Sequence, residues 1–200
     1  MSEKKLLKID LGCGQRKASP EHIGVDKVQI TKDGVDLVDV VHDLRQIPYP
    51  FEDNSAEEIF ASHFFEHLDG YERKAFIEEC YRILIKPQRD EYGNVTRVGK
   101  LRLIHPFSKS DRFYQDFTHK WPPINQNTYW YFDQAWLKAN GLDHGDYVGN
   151  YNFTHIIYPV PQNPQVFNLK NTETQYFMMD HYWNVVADLD VHLTAQDMPK

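Results

Sequence analysis

The sequence of 200 residues predicts an α/β fold built on one mostly parallel sheet. Short apolar runs that end at Gly, Asp or Pro recur along the first half, which is typical of buried strands. A long stretch between two of these runs has its apolar residues at helical spacing. Hydrophobic residues make up 41% and charged residues 26% of the chain, a globular composition that excludes a disordered one.

The strands of the first half are predicted from apolar and β-branched residues. They are Leu6–Leu11, His22–Val28, Val35–Leu44, Ile59–Phe65 and Leu101–Ile104. Pro48 and Pro50 impose an extended loop before the fourth strand, and Pro106 ends the fifth. Residues 15–22 contain Pro20 and are expected to form a loop with at most one helical turn.

One helix is predicted over Tyr71–Leu84. Its apolar side chains keep the i, i+3, i+4, i+7 spacing, and Pro87 ends it. The polar segment 88–99 predicts a loop or a hairpin, and these two alternatives stay open.

The last third of the chain has a different pattern. Asp133–Asn140 predicts a short helix closed by Gly141. Tyr151–Val160 predicts a strand, and the alternation of apolar and polar residues in Trp183–Leu193 predicts a half-buried strand. No apolar run approaches the length of about 20 residues that spans a membrane, so we expect no membrane partner.

Charge and cysteine content narrow the classes of partner. The net charge is −7, which disfavours nucleic acid, although the more basic segment 73–120 leaves a phosphate-bearing substrate open. Cys13 and Cys80 do not form a disulfide framework, and the N-terminus has no secretion signal. We therefore expect a cytoplasmic protein, and the sequence predicts no oligomeric state.

A glycine-containing turn follows the first strand. In the segment Asp10-Leu11-Gly12-Cys13-Gly14, the glycines allow a ligand to approach the backbone closely. A nicotinamide-dinucleotide fingerprint would need a third glycine at position 17, which is lysine, and an acidic residue about 20 residues further on. Asp26 comes too early for that role, so a nicotinamide site is disfavoured.

Six short segments of the chain occur in an order that points to a known family. They are KIDLGCG at 8–14, GVD at 24–26, HDL at 42–44, FEDNSAEEIFASHFFEHL at 51–68, YRILIKP at 81–87 and LRLIHP at 101–106. Over about residues 5–140 this order resembles class I S-adenosylmethionine-dependent methyltransferases of the type 11-like branch. The resemblance implies a Rossmann-like seven-stranded sheet, mostly parallel with an antiparallel C-terminal strand. It also implies one domain over 1–200, with a cofactor half over about 1–105 and a substrate loop and C-terminal strands over about 106–200.

The resemblance implies a set of residues around S-adenosylmethionine. They are Asp10, Leu11, Gly12, Cys13, Gly14, Asp26, Lys27, Asp43, Leu44, Ser62 and His63. Asp10 would lie beside the amino-acid part of the cofactor, Asp26 would hold both ribose hydroxyls, and Asp43 would accept from the adenine amino group. Arg16 replaces the usual third glycine of the family, and the segment after the glycine turn is shorter than usual.

A histidine-rich segment offers a metal site as the less favoured alternative. Small-RNA 2′-O-methyltransferases and ubiquinone-pathway O-methyltransferases carry Glu-x-x-Glu-His here and bind a divalent metal. This chain has His63, Glu66 and His67 at those positions, with His119 as the expected further ligand. The competing interpretation is that Glu66 and His67 only cap the following helix. The segment 63–67 also matches an inverted zinc-protease signature, but that class of protease needs a much larger chain.

The loop after the fifth strand carries the remaining chemistry. Asp116-Phe117-Thr118-His119 resembles a D-x-T-H stretch of this branch, so His119 is either a general base or a residue that organises the loop. We take His63 and His119 as the catalytic candidates, and expect loop 106–123 to form a wall of the acceptor pocket. Residues 113–136 hold nine aromatic residues, which either stack on substrate or form a small core.

The predicted function is methyl transfer from S-adenosylmethionine to an oxygen or nitrogen atom of a small-molecule or glycan-type acceptor. Two alternatives stay open: a catalytically silent S-adenosylmethionine-binding protein and a nucleic-acid methyltransferase. The second is weakened because no Asn-Pro-Pro-Tyr-type motif follows the fourth strand.

Overall fold

A computed structural model describes residues 5–143, 145–162, 164–168 and 170–199. Its strands are β1 (Leu7–Leu11), β2 (Ile23–Asp26), β3 (Thr31–Lys32), β4 (Val35–Asp36), β5 (Val40–Val41), β6 (Ala56–Ser62), β7 (Gln88–Arg89), β8 (Val95–Arg97), β9 (Lys100–Pro106), β10 (Tyr151–Pro159) and β11 (Val186–Ala195). Its α-helices are α1 (Gly70–Ile83), α2 (Asp111–Gln115), α3 (Gln134–Ala139), α4 (Pro164–Asn168) and α5 (Thr172–His181). Phe65–His67 and Gln126–Phe132 form 3-10 helices. Within the described ranges, no helix is long and apolar enough to cross a bilayer.

The main sheet has seven strands in the order β10-β11-β9-β6-β1-β2-β5. Strands β5, β2, β1, β6 and β9 pair in parallel, whereas β11 is antiparallel to both β9 and β10. This arrangement confirms the predicted α/β class, the seven strands and the antiparallel C-terminal strand. The remaining strands form two small hairpins, β3–β4 and β7–β8, so segment 88–99 is a hairpin.

The apolar core lies against one face of this sheet. Helices α1, α4 and α5 and the second 3-10 helix contribute to the same buried cluster as the strands, through Ile77, Phe167, Met179 and Tyr129. Helix α1 begins at Gly70 because Asp69 and Glu72 form a capping box. The helices thus bury their apolar residues together on that face.

The opposite face of the sheet carries polar side chains. The prediction that the strand at 183–193 is only half-buried is wrong, because polar residues on this face are buried as well. Strand β11 spans Val186–Ala195, and both Asp188 and Asp190 are buried on it. Asp190 accepts hydrogen bonds from Arg102 at 2.9 and 2.7 Å and from the Tyr158 hydroxyl at 2.8 Å. Long side chains of the two flanking strands therefore cover Asp190, which the alternation assigned to solvent, and Arg112 of α2 lies 3.2 Å from the carboxylate of Asp188.

Two other predicted strands have different bounds. The expected strand Val35–Leu44 is interrupted, because the Asp39 carboxylate accepts from the Gly24 amide and from Lys17, each at 2.7 Å. The expected strand Ile59–Phe65 is β6, which begins earlier, at Ala56, and ends at Ser62. It ends because His63 takes a positive φ of 52°, which breaks the extended backbone.

Candidate active site

A cleft of about 680 Å³ lies at the carboxyl ends of β1, β2 and β6. Ligands bind at this edge in open α/β sheets. The expected cofactor residues that line it are Gly12, Gly14, Asp26, Lys27, Asp43, Leu44 and His63. The other lining residues are Arg45, Phe64, His67, Leu68, Phe117, Thr118 and Lys120. The structure thus brings together residues from the glycine turn, from β2 and from the loop after β9.

The glycine turn shapes the floor of the cleft. Gly12 has a φ of 75°, and a Cβ built there would lie 2.6 Å from the ring of Phe64, so only glycine fits. Gly14 has a φ of 50°, and a Cβ there would meet no atom within 4 Å, so its backbone faces open space. The amides of Gly12 and Cys13 both donate to the Val25 carbonyl, at 2.8 and 3.1 Å, which fixes the turn onto β2.

Asp26 ends β2 at the edge of this turn. One oxygen of its carboxylate accepts from the Gly14 amide at 3.0 Å. A carboxylate has two oxygens and about four acceptor sites, so the group keeps capacity for further donors. Asp26 can therefore fix the glycine turn and accept a hydrogen bond from a ligand at the same time.

Asp43 has a partner that the sequence did not indicate. Arg45 donates to both carboxylate oxygens, at 3.0 and 2.7 Å, and these hydrogen bonds lower the pKa of Asp43 to about 2. The next residue, Leu44, is buried, and its carbonyl accepts from the Tyr49 hydroxyl at 2.8 Å. The Asp43 carboxylate is thus ionised and held in one orientation at the rim of the cleft.

The other expected cofactor residues, Asp10, Leu11, Cys13 and Ser62, lie outside the lining of the cleft. Asp10 is buried beneath the glycine turn, where burial raises its pKa to about 6 and the Ala18 amide donates to it at 2.6 Å. Burial raises the pKa of the Cys13 thiol to about 12, so this cysteine stays protonated near neutral pH.

His63 and Glu66 meet at the wall of the cleft. The His63 ring lies 3.3 Å from Glu66, measured from Nδ1 to Oε1, and this contact raises the pKa of His63. Burial opposes ionisation of Glu66, which is 1% exposed, but hydrogen bonds from the His63 ring and the backbone hold its pKa below the usual value. The backbone strain at His63 is of the kind that accumulates at functional sites.

His67 and His119 lie edge to face, with their ring centroids 4.8 Å apart. The Thr118 hydroxyl donates to Asp116 at 2.6 Å, so it accepts from Nδ1 of His67 at 2.9 Å. Nδ1 of His119 donates to the Phe113 carbonyl at 2.7 Å. Each neutral ring therefore keeps an unprotonated Nε2.

Glu66, His67 and His119 form a compact group of ligand atoms. One such atom from each lies within 4.8 Å of the other two. Among the described residues, Oε2 of Glu66 is buried and has no hydrogen-bond partner. His119 is nearly buried behind the cleft wall, whereas its neighbours Thr118 and Lys120 line the cleft.

Arg73 of α1 holds this wall in place. Its buried guanidinium donates to the carbonyls of Phe65 at 3.1 Å and Glu66 at 3.1 Å, and to Lys120 at 2.8 Å. It also donates to the carbonyl of Pro122. One side chain thus joins the segment after β6 to the segment after β9, a role that no sequence pattern indicated.

Comparison with known proteins shows what this chain is similar to. Residues 9–87 match the family model described as a methyltransferase domain. A SAM-dependent methyltransferase from Archaeoglobus fulgidus aligns with a TM-score of 0.57 and 18% identity, over 96% of this chain and 87% of that chain. The complex between the Haloferax volcanii Trm112 methyltransferase activator and a methyltransferase aligns with a TM-score of 0.50 and 14% identity, over 99% of this chain and 85% of that chain. No curated protein matches the sequence.

Proposed function

We propose that this chain is a class I S-adenosylmethionine-dependent methyltransferase of the type 11 family, and that it methylates an oxygen or nitrogen atom of a small-molecule or glycan-type acceptor. The observation that carries the proposal is that imidazole rings and the cofactor residues line one cleft. A methyl donor and a base would therefore share the same space, as methylation of a hydroxyl or an amine requires.

The residues present fit the cofactor. S-adenosylmethionine supplies an electrophilic sulfonium methyl group when it is bound. Gly14 leaves an open cradle where a side chain would stand, and the cleft has the volume of a typical small-molecule site. In this proposal Asp26 accepts from the ribose hydroxyls, and Asp43 accepts from the adenine amino group through the lone pairs that Arg45 leaves.

In this mechanism the chain contributes orientation and a proton acceptor. His63 lines the cleft and is held through Nδ1 by Glu66, so we assign its Nε2 to accept the proton of the acceptor hydroxyl or amine. Phe117 and Thr118, from the loop after β9, also line the cleft, and both side chains are exposed.

Replacement of Asp26 by alanine tests the cofactor half of the proposal. We expect S-adenosylhomocysteine to bind the variant about 10- to 150-fold more weakly, because hydrogen bonds to a charged group contribute about 1.5–3 kcal/mol. Isothermal titration calorimetry measures the change, with Asp143→Ala as the control at an exposed aspartate outside the cleft. Equal affinity of Asp26→Ala and wild type would contradict the assignment.

A divalent metal held by Glu66, His67 and His119 is the second part of the proposal. The Glu66 carboxylate, which has one buried oxygen without a hydrogen-bond partner, and the rings of His67 and His119 form a carboxylate–imidazole donor set, which suits Mn²⁺, Co²⁺ or Zn²⁺. The Thr118 hydroxyl orients the His67 ring, and the Phe113 carbonyl orients the His119 ring. Hydrogen bonds of this kind commonly orient the imidazole ligands of metal sites. A cation bound there would polarise an acceptor hydroxyl.

Titration with Mn²⁺ alone tests the metal site. We expect one Mn²⁺ per chain in wild type and a loss of affinity of at least 10-fold in Glu66→Gln, which keeps the size of the side chain but removes its charge. Electron paramagnetic resonance measures the concentration of free Mn²⁺. The control is His192→Ala, at a half-exposed histidine of β11. Equal Mn²⁺ binding by wild type and Glu66→Gln would remove the metal from the proposal, and the histidines would then act without it.

A further inference from the structure

A second cavity, of about 630 Å³, lies between the first turns of α1 and the segment 121–132. Six of its fourteen lining residues are aromatic, and they are Phe65, Tyr71, Trp121, Tyr131, Phe132 and Tyr147. It shares no lining residue with the cofactor cleft. Tyr71 is 88% exposed and Trp121 is 72% exposed, so large rings stand in water at its mouth.

The walls of this cavity are fixed before any ligand binds. Arg73 donates to the carbonyls of Lys120 and Pro122 on one side. On the other side the Tyr147 ring packs against Tyr131 and Phe132, with centroids 5.4 and 5.5 Å apart. Small-molecule sites are mostly pre-formed, apolar and within this range of volume, so the cavity has the character of a binding site.

The lining of the cavity carries two cations and one carboxylate. Arg73 and Lys74 both line it, and the Lys74 ammonium lies 5.6 Å from the centre of the Tyr147 ring. Asp69, the lining carboxylate, already accepts from the amides of Tyr71 and Glu72 as the cap of α1. Lys74 contacts both carboxylate oxygens of Glu78, at 2.8 and 2.9 Å, and Glu78 also accepts from the Val148 amide at 2.6 Å. A ligand carboxylate would therefore share the Lys74 ammonium with Glu78.

One segment separates the two cavities. Phe117, Thr118 and Lys120 line the cofactor cleft, whereas Trp121 and Pro122 line the aromatic cavity. A ligand in the aromatic cavity would therefore touch the reverse side of the segment that forms a wall of the cofactor cleft.

We propose that this aromatic cavity is a second ligand site, separate from the methyl-transfer site, and that it takes a small planar aromatic molecule with one carboxylate. The ring of the ligand stacks between Tyr71 and Trp121, which offer open faces at the mouth. Its carboxylate pairs with Lys74, the half-exposed cation of the lining. The proposal does not depend on the identity of the methyl acceptor.

Binding of 1-naphthoate to the full chain tests this site, with the uncharged 1-naphthalenemethanol as the matched probe. We expect 1-naphthoate to bind saturably, with an affinity at least fivefold higher than that of the alcohol. Ligand-observed NMR measures both affinities. Lys74→Met should remove that preference, and Tyr71→Ala combined with Trp121→Ala should weaken both probes at least 10-fold. Tyr92→Ala, at an exposed tyrosine of the β7–β8 connection, is the control and should change neither.

The outcomes separate the proposal from its rivals. Excess S-adenosylhomocysteine should leave bound 1-naphthoate in place, because the two lining sets do not overlap. Displacement by S-adenosylhomocysteine would assign the probe to the cofactor cleft and overturn the proposal. Equal binding of acid and alcohol, or full binding by the Tyr71→Ala, Trp121→Ala double variant, would overturn it as well.

Discussion

Replacement of Arg73 by methionine is expected to lower the free energy of unfolding by about 3–5 kcal/mol, because four backbone carbonyls would lose a charged hydrogen-bond donor. Arg73 is 5% exposed and donates to the carbonyls of Phe65, Glu66, Lys120 and Pro122. Methionine has a similar length but no donor, so these acceptors would lose their partner. Each buried acceptor left without one costs about 1–3 kcal/mol, partly offset because no charge is then buried.

Urea unfolding followed by circular dichroism measures this loss. Arg97→Met is the matched control, because Arg97 is a partly exposed arginine that pairs with Glu57 at 2.9 Å. Surface pairs contribute at most about 1 kcal/mol, so the control should remain close to wild type. A loss below about 1 kcal/mol in Arg73→Met would show that the carbonyls find other donors and that Arg73 is not the link between the two segments.

The parts of the site that the sequence could predict are those that local patterns determine. The positive φ of Gly12 and Gly14 follows from glycines placed directly after a short apolar strand. Asp26 and Asp43 lie near the carboxyl ends of the second and third apolar runs, and the carboxyl ends of parallel strands share one edge of the sheet. Their convergence on one cleft therefore needs only the fold class and the strand order.

The parts that the sequence could not predict depend on partners far apart along the chain. Arg73 reaches Lys120 across 47 residues and Pro122 across 49, and no periodicity links these positions. Arg45 is close to Asp43 in sequence, but an arginine in a loop next to an aspartate carries no signal of a bidentate contact.

The predicted burial of β11 was wrong because it also depends on residues far apart along the chain. Alternation along one strand shows which residues share a face, but what covers that face depends on the neighbouring strands. Arg102 lies 88 residues from Asp190 and covers it together with Tyr158. Helix α5 was missed because its apolar residues follow no clear helical stripe, and Met179 is its buried residue within the described chain.

Replacement of His63 by alanine is expected to lower methyl transfer by about 10²- to 10⁴-fold, the usual contribution of a general base. His63 is the histidine that both lines the cofactor cleft and contacts Glu66, at 3.3 Å. Alanine removes the proton acceptor but none of the carboxylates assigned to the ribose and the adenine. Affinity for S-adenosylhomocysteine should therefore stay within about threefold of wild type. Transfer of tritium from labelled S-adenosylmethionine to a metabolite extract measures turnover, and calorimetry measures affinity.

His119→Ala is the comparison that separates the two catalytic candidates. His119 lies behind the cleft wall, against Phe113 and His67, so its loss should reduce Mn²⁺ binding and thermal stability together with turnover. His63→Ala should reduce turnover while all three candidate metal ligands stay in place, and its effect on stability should be limited to the hydrogen bond that Glu66 loses. Undiminished transfer by His63→Ala, with transfer lost in His119→Ala, would assign the base to His119. Binding of S-adenosylhomocysteine without transfer by any form, wild type included, would contradict an active methyltransferase and favour a protein that only binds the cofactor.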